Sequence, residues 1–506
     1  MWTDRRNFIQ LFSTTVLLAA SSPLTSGVAS IPKLPRHDEL IDYDALGLAQ
    51  LIKNKEVSAT ELVEIVIRRI EAVNPLINCI ATPTFERARE RARTIPSNSV
   101  FAGVPSLIKD MVDIGGVRRT DGSRLLATNM PEKSVAWVNA FEASGLNLIG
   151  TTTTPEFASG FESELHGTTR NPWNLEYTAV GSSSGAAAAV ASGIVPLVHG
   201  TDGGGSNRFP SSACNTFGYK PSRGRMLSGE ANGGHDLFKT NAAISRTVRD
   251  SAALFDQTED KNTAAFEPMG MIKSPSKQRL RIAFAPDGVR NLPPTVKSVK
   301  DALIDSAKLL VNLGHKVEEV QHPVDGEEFF DNYRYAYLPK FTPLLKMVEK
   351  ITGKPPVESG LLAYWTATMI ESGRDYTPEQ IAKGNAYFDN IGELYGGVFD
   401  RFDILLTPVM PVETPKVGLI KPTDSFDIKG HIFEHVMSLC APVNPVGDCA
   451  MSVPLSFSKK TGLPVGSMFH APMGKDRMLY ELAYELEAAR PWKDKWAPYS
   501  VKYLPV

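Results

Sequence analysis

The chain has 506 residues, and 54 Lys plus Arg against 56 Asp plus Glu give a formal net charge of −2. That balance excludes the basic excess of a nucleic-acid binder. With 42% hydrophobic and 22% charged residues, dominant disorder, collagen and coiled coil are also excluded, and the length suffices for a sizeable core without disulfide staples.

The amino terminus has a pattern of its own. Arg5-Arg6 precedes an apolar stretch over 8–20, broken by Gln10, Ser13, Thr14 and Thr15, and Gly27-Val28-Ala29 offers a small-residue cleavage site. This is the order of a twin-arginine export signal. Residues 1–29 are therefore expected to be a signal peptide, with the twin-arginine machinery as partner and a periplasmic or secreted destination; a chance Arg-Arg in a cytoplasmic protein, or an uncleaved membrane anchor, is the alternative. The stretch is too short and too polar to span a bilayer, and no second run reaches that length, so no stable membrane insertion is expected after cleavage.

Further on, Ser58-Ala-Thr-Glu61 is a capping box, and Leu62, Val66, Ile70 and Val73 recur at helical spacing up to Asn74-Pro75. The pattern then predicts a helix over 134–144, strands over 146–149 and 177–180, a helix over 186–192 and a strand over 194–198. Helices follow over 296–313 and within 359–400, then a buried strand over 403–408 and an amphipathic helix over 476–489. This alternation predicts a layered α/β/α domain with a central sheet, residues 30–506 forming one unit with a helical insertion over roughly 323–400. Cys79, Cys214, Cys440 and Cys449 form no C-x-x-C pair, so zinc-ribbon and thioredoxin motifs are absent. Free buried thiols are expected, with a Cys440–Cys449 bridge left open.

Two Gly/Ser-rich turns carry chemistry: Gly181-Ser-Ser-Ser-Gly185, and Gly200-Thr-Asp-Gly-Gly-Gly-Ser-Asn-Arg208. Successive glycines ahead of Ser206 let several backbone N–H groups converge on one point, which suits an oxyanion hole beside a nucleophilic hydroxyl. A simple chain reversal is the competing reading. No G-x-x-x-x-G-K-[ST] phosphate loop is present. Two other motifs compete. Gly181 to Gly185 fits the G-x-S-x-G nucleophile elbow, with Ser183 attacking and Asp403 or Asp448 followed by His470 completing a triad. His431-Ile-Phe-Glu-His435 fits a zinc motif, with Glu434 beside two imidazoles on one helical face and no identifiable third ligand.

Taken with Phe101-Ala-Gly-Val-Pro-Ser-Leu-Ile-Lys109-Asp110, the two turns resemble the amidase signature family. The likeness continues through Thr152-Thr-Thr-Pro-Glu-Phe157, Asn171-Pro-Trp-Asn174, Gly218-Tyr-Lys-Pro-Ser222, Asn444-Pro-Val-Gly447 and Thr461-Gly-Leu-Pro-Val-Gly466, covering roughly 40–492. Thr169-Arg-Asn-Pro-Trp-Asn-Leu175 and Val198-His-Gly200 look most like the branch of 6-aminohexanoate cyclic-dimer hydrolases. The resemblance implies a layered α/β fold with a mixed central sheet, no cofactor and no metal, and a small linear or cyclic carboxamide as substrate. It implies Ser206 as nucleophile, Lys109 as base, and Ser182, after a non-proline cis peptide bond, as proton relay. Gly203, Gly204 and Gly205 would supply oxyanion N–H groups, with Ser183, Asp202 and Arg208 supporting the loop. By position in the family fold, the segments 329–400 and 426–441 would shape the pocket; Tyr333, Tyr335 and Tyr364 are candidate wall residues, with a place in the core as the alternative. Whether the protein forms a homodimer is left open.

The chemistry is coherent by itself, because a lysine serves as base only when neutral, and burial beside hydroxyls rather than carboxylates lowers its pKa. Leu107-Ile108 favours burial of Lys109, while Asp110 would oppose the shift if it faced the same way; a surface lysine at a strand end is the alternative. The chain departs from the family pattern at Val180 and Ser184, where glycines are usual, at Gly150-Thr-Thr-Thr153, at Ala242-Ala-Ile-Ser-Arg246 and at Ser467-Met468. The leading expectation is a serine-dependent amidase. Its rivals are an esterase using Ser183, an inactive amide-binding protein and a zinc hydrolase.

Overall fold

The apolar runs of this chain become strands buried on both faces. The structure, a computed structural model, describes residues 39–504, and the expected signal over 1–29 lies outside them. The strands are β1 (Ile80–Pro83), β2 (Pro105–Lys109), β3 (Asn147–Thr152), β4 (Arg170–Asn171), β5 (Asn174–Thr178), β6 (Leu197–Asp202), β7 (Phe217–Lys220), β8 (Thr240–Ser245), β9 (Arg281–Phe284), β10 (Lys316–Glu319), β11 (Ile404–Pro408), β12 (Cys449–Phe457) and β13 (Pro464–Ala471). Eleven of them form one mixed sheet in the order β1-β3-β2-β6-β8-β7-β12-β13-β11-β9-β10. Every residue of β2, β3, β6, β7, β8, β11 and β13 is buried, as expected when helices cover both faces of a sheet. The layered α/β expectation holds.

Six helices matter below: α1 (Ala59–Ile77), α2 (Ser184–Ala191), α3 (Arg208–Cys214), α4 (Gly326–Tyr337), α5 (Phe426–Met437) and α6 (Asp476–Ala489). The capping box forms at α1, with Glu61 N donating to Ser58 Oγ and Ser58 N to Glu61 Oε2. That helix runs past the expected stop at Asn74-Pro75. Pro75 falls in the last turn, and Asn74 Oδ1 accepts the N–H groups of Cys79 and Ile80, so the chain leaves the helix without stranding donors.

Two strands differ from expectation. The strand expected at 177–180 ends at Thr178 and belongs to a separate β4–β5 hairpin. The one expected at 194–198 is β6, shifted to Leu197–Asp202 and running through Gly200. Gly200 is no turn glycine: an added Cβ would lie 2.2 Å from Asn207 Oδ1, so its role is close packing inside a strand.

β2 runs parallel to β3 and β6, with Leu107 paired to both Gly150 and Val198. Their carboxyl ends therefore meet at one edge, where open α/β sheets place their ligands. Just beyond that edge Val180 has φ 62°, a left-handed conformation that a β-branched residue adopts only when its surroundings enforce it. Replacing Val180 with glycine should relieve about 1–3 kcal/mol of backbone strain while losing a comparable burial term. Denaturant unfolding is expected to show a cost for Val180→Gly less than half that of Val198→Gly, a buried strand position. Equal costs would refute the strain.

Candidate active site

Lys109, the last residue of β2, is completely buried. Its Nζ donates to Ser182 Oγ at 2.6 Å and to Thr201 Oγ1 at 2.8 Å, with no carboxylate in hydrogen-bond contact. Burial pushes its pKa well below the usual 10.5, helped by the charge of Lys239 and opposed by the more distant Asp202 and Asp121. Asp110 points elsewhere: its carboxylate accepts from Thr120 N at 3.0 Å and from the Thr120 hydroxyl, with His166 Nε2 at 3.5 Å.

The backbone of Lys109 is also held from β6. Its N–H donates to His199 Nδ1 at 3.3 Å, and His199 Nε2 lies 3.1 Å from Asn241 Oδ1. With Nδ1 accepting, the ring proton belongs on Nε2 and points at Asn241. Burial pushes His199 down to about 3, so the ring adds no charge beside the lysine. Sequence reasoning quoted His199 only as part of a motif, and missed the role of Thr201. The signal was there: two polar residues at period two on one buried strand face.

The Gly181–Ser182 peptide bond is cis, and Ser182 is buried. Ser183 is locked in place, its Oγ donating to Thr201 O and Asn207 Oδ1, both at 3.2 Å. Ser206 Oγ, in contrast, makes no hydrogen bond among the described residues and lines a cavity of about 280 Å³ with Ser182, Thr201, Gly203 and Gly204. The backbone N–H groups of Gly203, Gly204 and Ser206 likewise find no acceptor among the described residues. Gly205 departs from its expected part. Its N–H donates to Asp202 Oδ1 at 2.8 Å and so is not free for a ligand. This residue must be glycine, because φ is +125° and an added Cβ would meet the Phe209 ring at 2.3 Å.

The loop is anchored by a buried ion pair. Arg208 Nε donates to Asp202 Oδ2 at 2.9 Å and Nη2 to Oδ1 at 2.8 Å, while Asn444 Nδ2 donates to Asp202 O and Oδ1. Burial raises the Asp202 pKa, but the Arg208 charge and hydrogen bonds outweigh it and hold the carboxyl well below its usual range.

Other candidates fall outside this cluster. His470 pairs with Asp448 at 2.8 Å on β13, four strands from β6 in the sheet order, and does not contact Ser183. Asp403 accepts from Arg281 N. The esterase triad is therefore not assembled. On α5, Glu434 accepts from Arg334, and among the described residues no group of three His, Cys, Asp or Glu side chains is placed to hold a metal. All four cysteines are buried free thiols. Of the expected pocket tyrosines only Tyr333 lines the cavity. Tyr335, two residues on along α4, faces away and packs edge-on against Tyr376 at 5.1 Å, while Tyr364 is exposed. A wider groove of about 1150 Å³ near Lys308 and Lys460 contains none of these groups.

A buried lysine bonded only to hydroxyls, its pKa pushed down by burial, beside an unbonded serine and free backbone N–H groups, is the equipment of a nucleophilic hydrolase. Comparison with known proteins agrees. The Amidase family model matches residues 61–480. AmiC of Mycobacterium leprae, an amidase by name, is 35% identical over 470 residues, covering 90% of this chain and 97% of that one. The 6-aminohexanoate-cyclic-dimer hydrolase of Paenarthrobacter ureafaciens is 30% identical over 481 residues, covering 89% and 95%. Among solved structures, a substrate complex of 6-aminohexanoate cyclic dimer hydrolase superposes with a TM-score of 0.81 at 28% identity, covering 91% of this chain and 99% of the other. The chain belongs to the amidase family, enzymes that hydrolyse amide C–N bonds.

A neutral native lysine has a thermodynamic signature. Below the unfolded pKa of about 10.4 the unfolded lysine is charged, so the unfolded state binds the extra proton. Stability should then rise with pH from the depressed native pKa of Lys109 up to that value. Lys109→Met is expected to abolish amide hydrolysis and to remove this slope. Its stability relative to wild type should be more favourable at neutral pH than near the unfolded lysine pKa; the opposite order in pH-dependent thermal unfolding would contradict a neutral lysine.

Proposed function

We propose that this protein is an exported serine-dependent amidase that cleaves a small linear or cyclic carboxamide through an acyl-enzyme on Ser206. The observation that carries this reading is the Lys109 amine, buried and bonded only to hydroxyls in the wall of the cavity that Ser206 enters. A neutral amine has two N–H donors and one lone pair, so it can donate to Thr201 while accepting the Ser182 proton. Ser182 then takes the proton of Ser206 as that oxygen attacks the carbonyl carbon. The N–H groups of Gly203, Gly204 and Ser206 stabilise the resulting oxyanion, with Asp202, Arg208 and Ser183 fixing the loop that presents them. The proton returns through Ser182 to the leaving amine as the C–N bond breaks. Water, deprotonated by the same relay, hydrolyses the ester and regenerates Ser206.

Ser206→Ala is expected to lower turnover roughly 10³-fold or more with the fold retained. A fluorophosphonate should label Ser206 in the wild type, read by peptide mass mapping. Labelling of Ser183 instead would transfer the reaction to the esterase scheme.

The export reading rests on the 1–29 pattern, and among the described residues no helix is long and apolar enough to cross a membrane. Replacing Arg5 and Arg6 together with lysine should leave the full-length protein inside the cell, measured by fractionation. Unchanged export would remove the twin-arginine assignment.

A further inference from the structure

The His431-Ile-Phe-Glu-His435 segment turns its glutamate, not its histidines, to the cavity: Phe433, Glu434 and Met437 of α5 line it. This helix face abuts the nucleophile loop, since Met437 Cε lies 3.3 Å from the position a Cβ would take on Gly204. Glu434 is three residues earlier, one turn back along the same helix face at a rise of about 4.5 Å, and lines the cavity that Ser206 also lines. Its Oε1 accepts from Arg334 Nη1 at 2.6 Å, while its Oε2 accepts no hydrogen bond among the described residues.

The surroundings leave that oxygen electrostatically available. Arg334 is shared, its Nη2 donating to Asp331 at 2.6 Å, so one guanidinium serves two carboxylates. Of the charged side chains lining the cavity, four are carboxylates and three are cations, and Asp236 has no ion-pair partner among the described residues. Ten of the remaining lining residues are aromatic, with Phe433 and Tyr333 near Glu434. Aromatic rings and a spare carboxylate oxygen in one cavity both favour a cation, and the same field disfavours an anion.

We propose that Glu434 Oε2 receives a positively charged nitrogen of the substrate, so that the enzyme prefers amides bearing an ammonium group a few bonds from the scissile carbonyl over their neutral and carboxylate counterparts. Glu434 is a specificity-determining residue in this scheme, which rests on the amidase reading of the same cavity. Burial raises the pKa of Glu434 while Arg334 opposes it, as fits a carboxylate that gains from a second cation.

Two matched sets of amides vary only in charge. In the first the acyl arm differs: δ-aminovaleryl, hexanoyl and adipoyl p-nitroanilides. In the second the amine arm of an acetamide differs: ω-aminobutyl, pentyl and ω-carboxybutyl. Wild-type kcat/KM should favour the ammonium member over the neutral one by about tenfold in at least one set, and the carboxylate member should be the poorest. Glu434→Gln should collapse the ammonium-to-neutral ratio at least fivefold. Arg334→Met, which leaves Glu434 unpaired, should preserve or raise it. Equal effects of the two variants on the ratio would show that the pair only holds α4 to α5 and would overturn the proposal, as would the lack of any ammonium preference in both sets. Calorimetric binding of the same compounds to Ser206→Ala reads the charge preference without turnover. Ammonium-selective binding together with an unreactive wild type would sink the catalytic reading and keep this one; binding indifferent to charge would overturn this one alone.

Discussion

The structure depends on taking one amine out of water without giving it a carboxylate partner. Removing a lysine from water disfavours its charged form unless a counter-ion compensates, and at Lys109 hydroxyls stand where a counter-ion would. Lys220 shows a different arrangement. It is equally buried, and burial lowers its pKa to about 8, with Arg208 adding to the drop and Asp202, Cys449 and Asp448 opposing it; its Nζ donates to the carbonyl oxygens of Pro221 and Asp448, which can only accept. Hydroxyls accept and donate alike. The contacts that hold Lys109 can therefore reverse direction as a proton moves, and those that hold Lys220 cannot.

Carboxylates are nonetheless needed nearby to shape the loops, and the two whose charges act on Lys109 are each committed to an arginine. Asp202 is gripped through two hydrogen bonds by Arg208, and Asp121 in the same fork-to-fork manner by Arg119. Both carboxylates pull the Lys109 pKa upward, but burial outweighs them. A bidentate pair presents little net charge to a third group, so the loop gains rigid acceptors without giving the lysine a partner. The backbone of Lys109 is treated alike, held by a neutral His199 ring rather than by a charged group.

How much of this was legible in the sequence follows from how local each signal is. The final helix was read at its observed bounds, Asp476–Ala489, because its apolar period and its boundaries lie within the segment itself. Lys109, Ser182 and Ser206 were legible through motif order, and the structure brings their loops to one sheet edge. Strand β6 was misplaced because glycine looks the same in sequence whether it turns a chain or admits a neighbour, and Asn207, which explains Gly200, reaches it only in three dimensions. The end of α1 was misread for a related reason: Pro75 suggests a stop, but the Asn74 side chain that permits the extra turn bonds beyond the helix. Gly205 was given to the oxyanion hole with its neighbours, although its N–H is taken by Asp202.

Glu434 completes the pattern of misread context. As part of a histidine-flanked motif it suggested a metal, because spacing along a helix reports which residues share a face and not what that face meets. In the fold, Glu434 meets a guanidinium and an aromatic cavity. The guanidinium of Arg334 is itself divided between Glu434 and Asp331, in contrast to Arg208, whose Nε and Nη2 both serve Asp202. The charge beside the lysine is thus closed off, whereas the charge further along the cavity is left partly open. The two pairs differ in what they leave over: the charge of Asp202 is met by an arginine whose Nε and Nη2 both serve it, while the charge of Glu434 is met by an arginine that Asp331 also holds.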